Sequence, residues 1–138
     1  MVSKEKFESL HVTGTGQIVD LERVKVQPLR ISDGWKVTMR NHLFELDPTP
    51  ELVTDDILFD QTMLVMKHEQ RNFLLDVGWT NERNYEESAY CMTLHENDWS
   101  GDVVRSFMTK DRGESVEQIE TLLEQVSNGA EFKRKKAR

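Results

Sequence analysis

The sequence contains one cysteine, three prolines and no long apolar run. The single thiol, Cys91, has no partner for an intramolecular disulfide, so the fold has to be stabilised by other means. No N-terminal apolar stretch resembles a signal peptide, and no segment is long enough to cross a bilayer as a helix. These absences exclude a disulfide scaffold and predict a cytoplasmic protein that does not enter a membrane.

The sequence also lacks the motifs that bind metals, cofactors or phosphate groups. Its four histidines fall on separate predicted elements, without the close spacing of zinc ligands. Asp55, Asp56 and Asp60 lack the glycine and alternating oxygen ligands of a calcium loop, which indicates a role at a helix edge or in a loop. No serine lies in a nucleophile elbow. We therefore predict no catalytic residue, no metal and no cofactor, and we expect a protein that is not an enzyme.

Acidic residues outnumber basic ones, 25 against 18, and the net charge is -7 at pH 7. Five of the basic residues fall in the last six positions, 133–138. Without them the chain has 13 basic residues against 25 acidic ones, a net charge of -12. A body with this charge repels nucleic acids and anionic membranes, and it favours a basic partner. Acidity also serves solubility alone, so that simpler interpretation stays open.

The length of 138 residues is typical of one domain with its own hydrophobic core. We predict a single domain over residues 1–130 and a basic, disordered tail over residues 131–138.

Apolar residues that alternate with polar ones predict a series of strands joined by short turns. Asp33–Gly34 separates one such run, ending at Ile31, from another that begins at Trp35, and this pattern predicts a tight hairpin. Short connections between successive strands favour antiparallel pairing. Further strands are expected over four later segments, 61–68, 72–79, 88–95 and 102–110.

A single helix is predicted at the end of the domain. Ser115 and Gln118 have the spacing of a capping box, and Asn128–Gly129 is a stop signal. The order of elements predicts an α+β fold, in which an antiparallel sheet of about five to seven strands carries this amphipathic C-terminal helix on one face. The apolar stripe of the helix consists of Val116, Ile119, Leu122, Leu123 and Val126.

Large aromatic residues next to acidic ones mark a candidate recognition surface. Trp79 and Trp99 fall at the ends of predicted strands, and the polar loop 80–87 can adapt its shape to a partner. Tryptophans at strand ends also close hydrophobic cores, so for these two both interpretations stay open. The candidate partner-binding residues are Trp79, Glu82, Tyr85, Glu86, Glu87, Asp98 and Trp99.

One part of the chain is similar to a known protein family. The segment Leu-Leu-Asp-Val-Gly-Trp at 74–79 is followed by a polar loop, a strand around Tyr90, the pair Asp98–Trp99, a further strand and the helix from Ser115. Over residues 74–126 this order resembles immunity proteins of bacterial polymorphic and contact-dependent toxin systems. The resemblance implies a small cytoplasmic protein that binds a cognate, often basic, toxin domain and inhibits it without catalysis.

Two other functions stay open beside this leading hypothesis. A small ligand-binding domain or enzyme would have a pocket on the sheet face opposite the helix, where His68, His95 and Asp76 are candidates. A structural homodimer subunit would associate through the sheet edge or the aromatic face, and the sequence does not determine the oligomeric state.

Overall fold

The computed structural model describes residues 10–12, 18–20, 24–39, 41–55, 57–80 and 85–132. Within these residues it contains seven strands and one α-helix, together with two short 3₁₀ turns at Leu52–Thr54 and Tyr85–Glu87. The elements are β1 Leu10–Val12, β2 Ile18–Asp20, β3 Trp35–Val37, β4 Leu64–His68, β5 Phe73–Trp79, β6 Tyr90–Glu96, β7 Val103–Thr109 and α1 Arg112–Ser127.

Strands β3 to β7 form one antiparallel sheet in which each strand pairs with its neighbours in the sequence. Strands β1 and β2 form a separate two-stranded sheet. The α+β class is confirmed, and the main sheet has five strands, so the larger numbers in the predicted range do not apply to it. The strands expected at 61–68, 72–79, 88–95 and 102–110 correspond to β4, β5, β6 and β7.

The hydrophobic core lies between the main sheet and α1. Successive side chains of a strand point to opposite faces, so alternate residues of β5 and β6 face the helix. We call this side of the sheet the helix face and the other side the helix-distal face. The cluster includes Leu75, Val77, Trp79, Tyr90, Met92 and Leu94 of the sheet, and Ile119, Leu122, Leu123 and Val126 of α1.

The predicted hairpin at Asp33–Gly34 is wrong. Gly34 has a turn conformation with φ of 92°, but the segment before it does not pair with β3. Gln27 N instead donates to the Leu43 carbonyl at 2.8 Å, which directs that segment across residues 43–45. The Asp33 carbonyl accepts from His68 Nε2 at 3.0 Å and from Ser127 Oγ at 2.7 Å. Long-range contacts therefore stabilise this turn, and they override the local hairpin signal.

Helix α1 begins earlier than the capping box at Ser115 predicted. Asp111 is the N-cap, and its Oδ1 accepts from Glu114 N at 2.8 Å. Ser115 is buried inside the helix, where its Oγ donates to the Arg112 carbonyl at 2.6 Å. The predicted stop is confirmed, because Asn128 is the C-cap and Gly129 has φ of 78°.

The chain continues beyond α1 along the helix face. Phe132 packs edge-on against Phe73, with 5.5 Å between the ring centroids, and the Arg105 guanidinium lies 4.9 Å above the Phe132 ring. Phe132 therefore packs with the domain although the predicted tail included it, and 133–138 lie outside the described residues. Among the described helices, none combines the length and the apolar character needed to cross a bilayer.

Candidate functional site

The residues predicted to bind a partner do not form one surface, because strand β6 separates them. Tyr85, Glu86 and Glu87 precede β6, whereas Asp98 and Trp99 follow it. A strand of seven residues spans roughly 20 Å at about 3.3 Å per residue, so the two groups lie at opposite ends of the sheet. A partner would therefore contact one end or cover a whole face of the sheet.

Trp79 belongs to the core, which corrects its assignment to the recognition surface. Its side chain is 3% exposed and packs edge-on against Phe59 and Tyr90, each with centroids 5.2 Å apart. It occupies the helix face at the end of β5, where a large ring closes the core. Trp79 therefore stabilises the fold, and a partner has no access to it.

At the end of the sheet where β6 begins, the aromatic candidate Tyr85 already contacts other residues of the domain. Tyr85 is half-buried, its hydroxyl donates to the Pro48 carbonyl at 3.3 Å, and the Lys110 ammonium lies 4.4 Å above its ring. Glu86 and Glu87 are exposed beside it, and Glu82 lies outside the described residues. This end presents the exposed carboxylates of Glu86 and Glu87, and the Tyr85 ring beside them already contacts the Lys110 ammonium.

At the other end, Trp99 projects from a turn that is held by several hydrogen bonds. Asp98 Oδ1 accepts from Ser100 N at 2.9 Å and from Ser100 Oγ at 2.6 Å, and these bonds lower the pKa of Asp98. Asn97 has φ of 72° and its N donates to the Asn72 carbonyl at 2.7 Å. Trp99 is nevertheless 48% exposed. The turn therefore presents a large aromatic side chain on an ordered support.

Beside Trp99, polar side chains of β5 and β6 meet on the helix-distal face. Asp76 pairs with Thr93 and Leu74 with His95, so Asp76 and His95 are diagonal neighbours on this face. The His95 ring lies 5.8 Å from the ring of Trp99, tilted by 54°. Burial raises the pKa of Asp76, and the nearby His95 opposes that shift. The geometry thus brings together a carboxyl group, an imidazole and an exposed indole.

Asp76 and His95 each contain a polar atom that the fold leaves without a partner. Asp76 Oδ1 and His95 Nδ1 are buried and form no hydrogen bond, although both side chains are partly exposed. Buried polar atoms in folded proteins are nearly always satisfied, and those that are not often mark functional positions. Both atoms are enclosed by the fold, so neither has surface exposed for contact with a ligand from outside.

His68 does not join this group, although it was predicted to share a pocket with Asp76 and His95. Its side chain is buried on the helix face and packs edge-on against Trp35 at 5.4 Å. His68 Nδ1 accepts from Arg71 N at 3.0 Å, and Nε2 is directed at the Asp33 carbonyl. This imidazole stabilises two turns, and both of its ring nitrogens already have partners.

The carboxylates near residue 55 have the loop role that the sequence predicts, at least where they are described. Asp55 Oδ1 accepts from Ile57 N at 2.9 Å and from Leu58 N at 3.1 Å. Asp56 is outside the described residues. In the part of the chain that the structure describes, no three His, Cys, Asp or Glu side chains converge as metal ligands.

A second acidic surface lies on the exposed side of α1. Glu117 and Glu124 are exposed there, and Glu120 accepts from Arg30 N at 2.6 Å. Together with Arg30, Ser32 and Thr121 these glutamates line a shallow groove between α1 and the segment that crosses it. The sequence does not predict this groove, because the path of residues 24–32 depends on tertiary contacts.

Comparisons with known proteins found no matching family model, no matching curated protein and no matching solved structure.

Proposed function

We propose that this protein is a non-enzymatic binding protein that recognises a basic partner, and that the partner is a cognate toxin domain which it inhibits. The observation that carries the proposal is Trp99, a tryptophan exposed on a hydrogen-bonded turn next to an ionised acidic residue. Tryptophan is strongly enriched among the residues that dominate binding energy at protein interfaces. Its ordered support reduces the entropy lost on association.

The charge of the chain supports a basic partner. Outside residues 133–138 the net charge is -12. The acidic residues that contribute to it include exposed glutamates on α1 as well as those at the two ends of the sheet. Complementary charge accelerates association and disfavours partners of like charge. The similarity of residues 74–126 to immunity proteins supports a toxin as that partner. Inhibition then requires only that the bound protein cover the toxin's active surface.

Co-expression with neighbouring genes tests this proposal directly. The tagged protein would be produced together with each product of its chromosomal neighbourhood, and co-purification and cell survival would be scored. We expect one neighbour to co-purify in a one-to-one complex and to kill cells only when this protein is omitted. If no neighbour binds and none is toxic, the proposal is wrong.

Matched variants at the two ends of the sheet can show which end binds the partner. Trp99→Ala should weaken the complex about 30-fold or more, because truncation of a central aromatic anchor typically costs about 2 kcal/mol or more. Glu86→Lys reverses a charge at the opposite end and should change affinity little if the Trp99 end is the interface. The reverse result, measured by calorimetry, would transfer the interface to the Tyr85–Glu87 end.

A ligand-binding domain or enzyme is the second candidate, and the Asp76–His95 pair favours it. A carboxylate beside an imidazole can hold or transfer a proton when both reach a bound substrate. Screening the purified chain against small polar ligands distinguishes this candidate, because binding that is lost in both Asp76→Asn and His95→Gln would support it. Binding that survives both substitutions would exclude these residues as its site.

A further inference from the structure

Strand β3 lies at one edge of the main sheet. On its inner side it pairs with β4, in a register that places Lys36 opposite Lys67 and Val37 opposite Met66. On its outer side no described strand pairs with it. An unpaired edge of this kind is a template on which a further strand can add. We call residues 35–39 the β3 edge.

The hydrogen-bond pattern shows which backbone groups of the β3 edge point outwards. Thr38 N donates to the Val65 carbonyl at 2.9 Å, so residues 36 and 38 direct their backbone groups towards β4. Because this direction alternates along an antiparallel strand, the N–H and C=O groups of residues 35, 37 and 39 point away from the sheet. Within the described ranges, no turn or loop hydrogen bond satisfies these outward groups.

The side chains of the β3 edge are exposed as well. Val37 shares the helix face with the buried Met66, yet Val37 is 43% exposed and Met39 is 47% exposed. Lys36 and Thr38, which point to the other face, are also exposed. The β3 edge therefore presents two apolar side chains next to outward-facing backbone donors and acceptors, a combination that favours association.

Charge favours a second copy of the chain over the basic partner at this edge. Residues 34–39 contain no acidic side chain, and Lys36 lies opposite Lys67. A strand of a basic partner would therefore meet charges of its own sign. A second copy of this chain has a net charge of -7, and its acidic body is attracted to a locally positive edge.

We propose that two copies of this chain pair their β3 edges in antiparallel orientation, about a two-fold axis at Val37. This register joins outward groups to outward groups, because Val37 pairs with Val37 of the second copy and Trp35 pairs with Met39 of the second copy. It also places Lys36 opposite Thr38, whereas an axis at Lys36 would set two ammonium groups directly opposite each other. The two five-stranded sheets then continue as one sheet.

The dimer leaves the Trp99 turn accessible. Trp99 follows β6, and β6 and β7 are separated from β3 by the two central strands β4 and β5. A two-fold dimer therefore carries two Trp99 turns, each at a distance from the axis. Its formation does not depend on the proposed function.

Sedimentation equilibrium of the full chain, from about 5 µM to about 500 µM, tests the dimer. An edge of five residues buries less area than a standard interface of about 1,600 Å², so association is weak and requires the upper part of this range. We expect the average mass to rise with concentration towards twice that of one chain. Val37→Lys sets two like charges opposite each other at the axis and should weaken the dimer at least about fivefold.

Two control variants accompany Val37→Lys. Val37→Thr keeps the branched shape and the N–H group, and it should change dimerisation less than about twofold. Trp99→Ala removes a large exposed ring far from the β3 edge and should leave dimerisation unchanged.

Cysteine crosslinking tests the register and is carried out in a Cys91→Ser background. Val37→Cys places two thiols at the axis, where paired Cα atoms lie about 5.5 Å apart, within the range of a disulfide. Met39→Cys is the matched control, because the two copies of position 39 lie four residues apart along the paired strands, roughly 13 Å. We expect oxidation to give a covalent dimer with the first variant and not with the second.

Several results would overturn the inference. These are the mass of a single chain at every concentration, equal dimerisation of Val37→Lys and the original protein, or equal crosslinking of the two cysteine variants. A monomeric chain whose toxin complex is weakened by Val37→Lys would assign the β3 edge to the toxin instead. Co-purification of a toxin is expected with or without the dimer, so the two proposals can fail separately.

Discussion

At the scale of single residues, the position of Asp76 has a thermodynamic consequence. Burial holds the pKa of this carboxyl group above its ordinary value of 3.8, so the folded state favours its protonated form more than the unfolded chain does. Between the ordinary pKa and the raised folded value, the folded protein binds more protons than the unfolded one. The contribution of Asp76 to stability therefore decreases as pH rises through this window.

We predict that Asp76→Asn flattens the dependence of stability on pH. The neutral amide has nearly the same shape and no charge to bury, so the variant should lose less stability than the original protein between pH 4 and pH 7. Urea denaturation at several pH values measures this difference. Glu117→Gln is the control, since it removes an exposed carboxylate, and an identical pH profile for Asp76→Asn and the original protein would contradict the prediction.

At the scale of elements, strand pairing could be predicted far better than the path of the N-terminal segment. Strand β6 alternates buried and partly exposed residues, as the apolar–polar pattern predicts, whereas most residues of β4 and β5 are buried whichever face they occupy. The hairpin prediction at Asp33–Gly34 was wrong, because a turn sequence indicates where the chain reverses but not which strand pairs with which. Its real neighbours, His68 and Ser127, are 35 and 94 residues away in the sequence.

The start of α1 shows how two adjacent capping signals compete. Asp111 and Glu114 have the same spacing as Ser115 and Gln118, and in the structure Asp111 caps the helix by accepting from Glu114 N. We predict that Asp111→Ala costs about 1 kcal/mol of unfolding free energy, because it removes the acceptor for a free amide at the helix N-terminus. Asp111→Ser, which keeps an acceptor, should retain most of the stability in urea denaturation. Equal losses in the two variants would show that the loss of stability does not come from the missing hydrogen-bond acceptor.

The candidate site could be predicted only in part, because odd and even positions of a strand point to opposite faces of the sheet. His68 was predicted to lie with Asp76 and His95, but the strand register directs His68 into the core and the other two residues to the opposite face. A difference of one residue along a strand reverses the face. Similarly, loops on either side of β6 must lie at opposite ends of an antiparallel sheet, so residues 85–87 could not share a surface with residues 98–99.

At the scale of the whole molecule, the negative charge should control the kinetics of association more than the final affinity. We predict that the association rate with a basic partner falls at least about tenfold between 50 mM and 300 mM salt, because added ions screen long-range attraction. The dissociation rate should change much less. Stopped-flow measurements would show this, and an association rate independent of salt would contradict a charge-steered encounter.

The order of the elements along the chain also affects how the protein folds during translation. Every strand of the main sheet precedes α1 in the sequence, so each emerges from the ribosome before the helix that covers it. Until residues 112–127 have appeared, the part of the helix face that packs on α1 stays exposed, and exposed apolar surface of this kind promotes aggregation. We therefore expect the docking of α1 to end the stage at which the nascent chain is most prone to aggregation.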